Sequence, residues 1–223
     1  MIDKELKKFV KESLKEDIQS GDQTSLACID SKNNSSAILL AKDNGIIAGV
    51  ELAKYIFNEV DSKITVKNDF IDGSLVKKGD IIMTINGNTQ SILKAERLVL
   101  NCMQQMSAIA TKTNNICRKI SATNTKILDT RKTIPLNRKI QKWAVNIGGG
   151  KNHRFALDDM IMIKDNHIDY WGGITQAIRK TKKYLKKNNL DLDIIVETRN
   201  IKEIAKVINE GGIRRILLDN FNF

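Results

Sequence analysis

Proline occurs once in the 223 residues, at Pro135, and aromatic residues make up only 5% of the chain. The first scarcity excludes a proline-rich linker or tail. The second leaves few platforms on which nucleobases could stack. No apolar run approaches the roughly 20 residues that a membrane-spanning helix needs. The charged stretch from Met1 to Val10 lacks the pattern of a secretory signal. Cys28, Cys102 and Cys117 are odd in number and lack metal-ligand spacing, which predicts a reduced, cytoplasmic setting. What the chain has in excess is positive charge, +11 at neutral pH with a pI near 9.5. The excess is spread along the sequence, and its densest run, Arg179 to Lys187, reads as the solvated face and C-terminal end of a helix. Small anionic molecules are therefore expected as partners ahead of DNA or RNA, and no membrane partner is expected.

Hydropathy patterning divides the chain into two styles. Ile2, Leu6, Phe9, Val10 and Leu14 recur at helical spacing and predict a helix to about residue 17. Gly21 to Ser25 reads as a polar turn. Ser36–Lys42 and Gly45–Val50 read as two strands of a hairpin around Asp43-Asn44-Gly45. A helix is expected over Glu51–Val60, then strands over Lys63–Lys67 and Asp80–Ile85, the latter closed by Asn86-Gly87-Asn88. From Ser91 to about Ile120 the pattern is helical without interruption, with Leu93, Leu100, Met103, Met106 and Ile109 or Ala110 as the expected buried stripe. Its methionines are expected in a core or a subunit interface. Beyond residue 124, short apolar runs (Lys126–Asp129, Met160–Ile163, Asp193–Val196, Arg214–Leu218) alternate with helical segments at about 137–147, 172–187 and 200–210. Such alternation predicts a parallel sheet or an α/β barrel.

In those folds the site lies at the C-terminal ends of the strands. That rule selects Thr130-Arg131-Lys132, Lys164-Asp165-Asn166, Glu197 and Asp219-Asn220. Arg131 and Arg154 carry planar forks suited to carboxylates or phosphates, and Lys132 and Lys164 are compact point charges. His153 could donate to an anion or hold the shape of its pocket. Glu197 and Asp219 would be repelled by an anion unless they bind hydroxyls or a hard cation such as Mg²⁺. A substrate with carboxylates, phosphates and a ribose would use all of these groups, as a phosphoribosyl transfer does. Taken singly, each has a plainer reading. Glu197 and Asp219 could cap the helices that follow, His167 could be a helix-capping residue, Arg97 a surface arginine, and Gly148-Gly149-Gly150 a helix stop.

The joint order of three segments, Asp129-Thr130-Arg131-Lys132-Thr133, Gly148-Gly149-Gly150-Lys151-Asn152-His153-Arg154 and Ile163-Lys164-Asp165-Asn166-His167, closely resembles the quinolinate phosphoribosyltransferases. Gly21-Asp22-Gln23-Thr24, Gly45-Ile46-Ile47-Ala48-Gly49, Ala95-Glu96-Arg97, Val196-Glu197 and Leu217-Leu218-Asp219-Asn220 match as well. The resemblance implies an α/β protein: an α+β sandwich domain over residues 1–110, including the start of a long linking helix, then an open α/β barrel over 111–223. It implies transfer of phosphoribosyl from phosphoribosyl pyrophosphate to quinolinate with loss of carbon dioxide, Mg²⁺ as cofactor, and a homodimer. It assigns quinolinate to Arg131, His153, Arg154 and Lys164, with Arg97 from the neighbouring subunit. It assigns the phosphoribosyl donor to Thr130, Lys132 and Lys164, and ribose and metal to Glu197 and Asp219. Ile134-Pro135-Leu136 stands where the family usually reads Thr-Pro-Gly, so the turn is expected to differ there. The family continues beyond Leu-Asp-Asn, so the barrel is expected to be incomplete. The alternatives to a working enzyme are a truncated or non-catalytic relative that binds anions or a partner chain, and a relative with another acidic acceptor.

Overall fold

The computed structural model describes residues 2–222. The chain divides into two compact units, one ending at His153 and the other beginning at Arg154.

In the first unit, helix α1 (Lys4–Ile18) is started by Asp3, whose carboxylate accepts from the N–H groups of Glu5 and Leu6 at 3.1 and 3.0 Å. Leu6, Val10 and Leu14 are buried, at the expected spacing. Strands β1 (Asn34–Leu40), β3 (Thr65–Asn68) and β5 (Ile81–Asn88) form an antiparallel sheet in the order β1-β5-β3. Helices α3 (Val50–Val60) and α4 (Thr89–Lys119) supply much of the core beside it. Full burial of Leu52, Ile56, Ile82, Met83 and Met106 contributes roughly 1.5–3 kcal/mol each.

Several local expectations are corrected. The polar turn at Gly21 to Ser25 instead opens a short helix, α2 (Gln23–Cys28), because the Asp22 carboxylate caps the N–H of Ser25. The expected hairpin does not form: β1 pairs with β5, and β2 (Gly45–Ile46) pairs with β4 (Leu75–Val76), which was not anticipated. Gly45 is there for close approach, since a Cβ would sit 2.6 Å from Thr111 Oγ1 of α4, and Asn44 spends its side-chain oxygen on the N–H of Lys78. Strand β5 does not stop at Ile85. It runs through Gly87, pressed against Ile64, to Asn88, which caps α4. The buried row of α4 is Ile92, Ala95, Val99, Cys102, Met103, Met106, Ala110 and Thr113. Leu93 is exposed and Leu100 half-buried; the expectation weighed side-chain size over the helical period. Burial pushes the Cys102 thiol up to about 11, so it stays protonated and inert at neutral pH.

The segment expected as a strand at Lys126–Asp129 makes one parallel bridge, Leu128 to Lys151, because the ladder stops where Asp129 turns its carboxylate inward onto Lys142. Helix α5 (Arg138–Ile147) ends at Gly148. The glycine run is more than a stop. A Cβ on Gly148 would lie 2.4 Å from the Ala110 carbonyl oxygen, and one on Gly150 would lie 2.7 Å from Val145 Cγ1. These glycines let α5 and the following turn press on α4.

The second unit is a parallel sheet in the order β6-β7-β8 (Ile161–Ile163, Ile194–Thr198, Arg215–Leu218), connected through α6 (Asp165–Tyr170), α7 (Ile174–Asn188) and α8 (Ile201–Glu210). Its core is Ile163, Ile168, Ile174, Ala177, Ile178, Ile194, Val196 and Val207. Among the described residues the sheet is not closed. The run from Arg179 to Lys187 is only partly a solvated face: Arg179 pairs with Glu210 at 2.7 Å and the Lys182 ammonium donates to the Glu210 carbonyl at 2.6 Å, tying α7 to the end of α8.

Gly148→Ala should lower stability by about 1–3 kcal/mol through overpacking, read from the urea midpoint. An unchanged midpoint would mean that α4 and α5 are not held at contact there.

Candidate active site

In the first unit the residues after Asp129 form a tight turn. Thr130 Oγ1 accepts from the N–H of Lys132 at 3.1 Å, the N–H of Thr133 bonds to the Arg131 carbonyl at 2.9 Å, and Arg138 Nε donates to Thr133 Oγ1 at 3.2 Å. Thr130 and Lys132 are exposed and Arg131 is half-buried. Among the described residues Arg131 Nε is buried without a hydrogen-bond partner, an uncommon condition for a cationic donor. The turn is joined to His153 through Asp129, whose Oδ1 accepts from the His153 N–H at 2.9 Å. That carboxylate is in direct contact with the ammonium of Lys142, which also reaches the His153 carbonyl at 3.2 Å. The two side chains are 7% and 2% exposed. Asn152, with its amide set to satisfy its neighbours, donates to the other Asp129 oxygen at 2.7 Å. Arg97 stands exposed on α4 with no ion-pair partner among the described residues.

In the second unit, Lys164 follows β6, Glu197 lies in β7 and Asp219 follows β8. Register puts them in one neighbourhood: Ile163 pairs with Val196, Glu197 with Leu217, and the Asp219 N–H bonds the Thr198 carbonyl at 3.0 Å. Lys164 Nζ is 3.5 Å from Glu197 Oε2, an ion pair without a hydrogen bond, so this buried oxygen is unsatisfied. Asn220 donates to Asp219 at 3.0 Å. Glu197 does not cap the helix that follows; Asn200 does, accepting from the N–H of Glu203 at 3.0 Å. His167 caps α6, its Nδ1 accepting from the N–H of Lys164 at 2.9 Å, which fixes the backbone that carries Lys164. Arg154 is half-buried. Burial pushes the Asp159 carboxyl up, but hydrogen bonds from the backbone N–H groups of Phe155, Ala156 and Asp159 itself, and after them the Arg154 charge, outweigh it and leave that carboxyl below its ordinary range.

Two groups of residues escaped the sequence. One is Lys142 with Asn146 and Asn152; the available signal was a lysine on the same helix as buried Ile140 and Ala144. The other is the Arg199 network, in which the guanidinium holds Glu203 at 2.8 Å and Asp169 at 3.0 Å, tying α8 to α6 just beyond Glu197.

Family models for the quinolinate phosphoribosyl transferase N-terminal and C-terminal domains match residues 22–107 and 109–223. The chain belongs to the quinolinate phosphoribosyl transferase family. It is 45% identical, over 97% of its length, to a chloroplastic carboxylating nicotinate-nucleotide pyrophosphorylase of Arabidopsis thaliana, of which it spans 63%. Against a probable enzyme of that name from Bacillus subtilis it is 38% identical over 97% of its length and spans 73% of the relative. A crystal structure of NadC from Streptococcus pyogenes matches with a TM-score of 0.91 at 34% identity, over 97% of this chain and 75% of that one.

Leu136 lies in the turn that was expected to differ. The position takes φ +64° and the residue is 95% exposed, so leucine holds a left-handed turn at a cost of about 1 kcal/mol.

Burial raises the Glu203 carboxyl, but hydrogen bonds from the Arg199 guanidinium and backbone outweigh it and leave the group below its ordinary value of 4.5. A depressed folded value means stability present above the unfolded value and lost as pH falls through the folded one. Glu203→Gln should therefore cost up to about 1 kcal/mol at neutral pH, and the deficit should close below pH 4.5. A deficit in thermal melts that does not shrink as the pH falls below 4.5 would assign it to packing.

Proposed function

We propose that the protein transfers the phosphoribosyl group of phosphoribosyl pyrophosphate to quinolinate and releases carbon dioxide, forming nicotinate mononucleotide and pyrophosphate. The observation that carries this reading is the pair of unsatisfied buried polar atoms, Arg131 Nε and Glu197 Oε2. One is a cationic donor with no hydrogen-bond partner among the described residues. The other is an acceptor suited to a hydroxyl or a cation.

On this reading Arg131, His153, Arg154 and Lys164 bind the quinolinate carboxylates, and Thr130, Lys132 and Lys164 bind the phosphoribosyl donor. Glu197 and Asp219 meet the ribose hydroxyls. The C1′–oxygen bond to pyrophosphate breaks as the ring nitrogen bonds to C1′, and fixed cations orient the ring for that displacement. The 2-carboxylate then leaves as carbon dioxide. The positively charged ring stabilises the carbanion, which takes a proton.

Mg²⁺ fits the donors present. Such ions use one or two carboxylates together with substrate phosphates and water, and Glu197 and Asp219 on neighbouring strands would hold it. Among the described residues no cluster of three or more ligating side chains forms. When bound, the ion would neutralise the departing pyrophosphate.

The reading extends to a homodimer in which Arg97 serves the partner subunit's site, supported by its exposed position on α4, without an ion-pair partner among the described residues. It extends to two domains meeting near residue 110, where the family matches also divide. A cytoplasmic setting is supported by three free thiols, although the Arabidopsis relative is named as chloroplastic.

Incubation with quinolinate, phosphoribosyl pyrophosphate and Mg²⁺ should yield nicotinate mononucleotide by mass spectrometry. Arg131→Ala should weaken quinolinate binding by about 1.5–3 kcal/mol, the worth of a charged hydrogen bond. Unchanged affinity by calorimetry would remove Arg131 from the site. A mixed dimer of Arg97→Ala with Arg131→Ala subunits should recover part of the activity that both parent variants lack, and no recovery would count against sharing.

A further inference from the structure

The proposed quinolinate-binding groups of the first unit are held from behind by charge. The backbone ladder that joins the two segments consists of Lys151 N–H to the Ile127 carbonyl at 2.8 Å and Asp129 N–H to the Lys151 carbonyl at 3.1 Å. It ends at Asp129, one residue short of the Thr130 turn. Beyond that point side chains take over. Asp129 Oδ1 accepts from the His153 N–H at 2.9 Å, Lys142 Nζ donates to the His153 carbonyl at 3.2 Å, and the lysine and aspartate touch each other. Asn152 completes the arrangement, donating to Asp129 Oδ2 at 2.7 Å and to the Lys142 carbonyl at 3.0 Å.

A buried ion pair is a costly way to hold a fold, and apolar residues of similar volume often serve as well. This one spends its spare hydrogen-bonding capacity on both backbone groups of His153. Its aspartate lies two residues before Arg131. The turn that carries Arg131 is otherwise braced by local hydrogen bonds of threonine and by Arg138. Binding groups must be held to within about half an ångström to act together, and the clamp is placed to do that for Arg131 and His153.

We propose that Lys142, through Asp129, is a positioning residue that fixes the spacing between Arg131 and His153 for an anionic substrate. This rests on the functional reading above and adds a residue that itself touches no substrate.

The test uses two variants, because Lys142→Met alone leaves a buried, unpaired carboxylate and can fail to fold. The double variant Asp129→Asn with Lys142→Met carries no orphaned charge and should keep its circular dichroism spectrum and a cooperative melt. Its quinolinate dissociation constant should rise at least tenfold, and its KM for quinolinate should rise by more than its KM for phosphoribosyl pyrophosphate. A merely structural role would lower the active fraction, hence kcat, and leave both KM values in place. Quinolinate binding within twofold of the native protein in the folded double variant would overturn the proposal.

Should the native protein not bind quinolinate, the functional reading fails separately, and inorganic pyrophosphate becomes the probe. The protein has two histidines, so the His153 ring resonance can be assigned with a His167→Asn variant. A shift of that resonance on adding pyrophosphate, lost in the double variant, would uphold the clamp. A shift that survives, or its absence in the native protein, would overturn it.

Discussion

The contact between Asp129 and Lys142 is the constraint on which the candidate binding residues of the first unit depend. Both side chains are nearly inaccessible to water, and neither charge could stay there without the other: breaking such a pair by removing one partner typically costs about 3–5 kcal/mol. The pair sits where a short parallel bridge gives out and the Thr130 turn begins. It carries order from the backbone ladder into residues that no ladder reaches. In the second unit the sheet does this work directly, since Lys164, Glu197 and Asp219 are placed by the pairing of β6, β7 and β8.

How much of this was legible in the sequence depended on whether the cause was local. The long α4 helix, the α1 stripe and the strand–helix alternation after residue 160 follow from periodicity, and the structure has them within a few residues. Other failures, beyond the locally capped α2 and the misread α4 stripe, arise from partners that lie far away along the chain. Asn44-Gly45 carries a hairpin signal, yet Gly45 answers to Thr111 and Asn44 to Lys78. The start of α3 is capped by Asp72, whose carboxylate accepts from the N–H groups of Gly49 and Val50 at 2.6 and 2.9 Å. That helix start could not be assigned to a capping side chain 22 residues downstream.

The site shows the same division. The strand–helix alternation singled out the candidate residues as strand ends, and the structure places Thr130, Arg131 and Lys132 on one turn and Lys164, Glu197 and Asp219 at adjoining strand ends. It could not show that His167 would be spent on the backbone of Lys164, or that Lys142 would be buried against Asp129, 13 residues away in sequence. The glycine run is the sharpest case. Three glycines suggest a helix stop or an anion cradle, and here two of them are the clearance between a helix and its neighbour.

The register of the parallel sheet has a consequence for how such a protein can change over time. Side chains alternate between the faces of a strand, so a one-residue slip moves a strand's whole set to the opposite face. Asp219 keeps company with Glu197 because Glu197 pairs with Leu217 two positions earlier. Replacing apolar residues within β8 leaves that relation intact. Inserting or deleting one residue within β8 would turn the carboxylate to the opposite face. Drift by substitution is therefore tolerated in these strands, and drift in length is not.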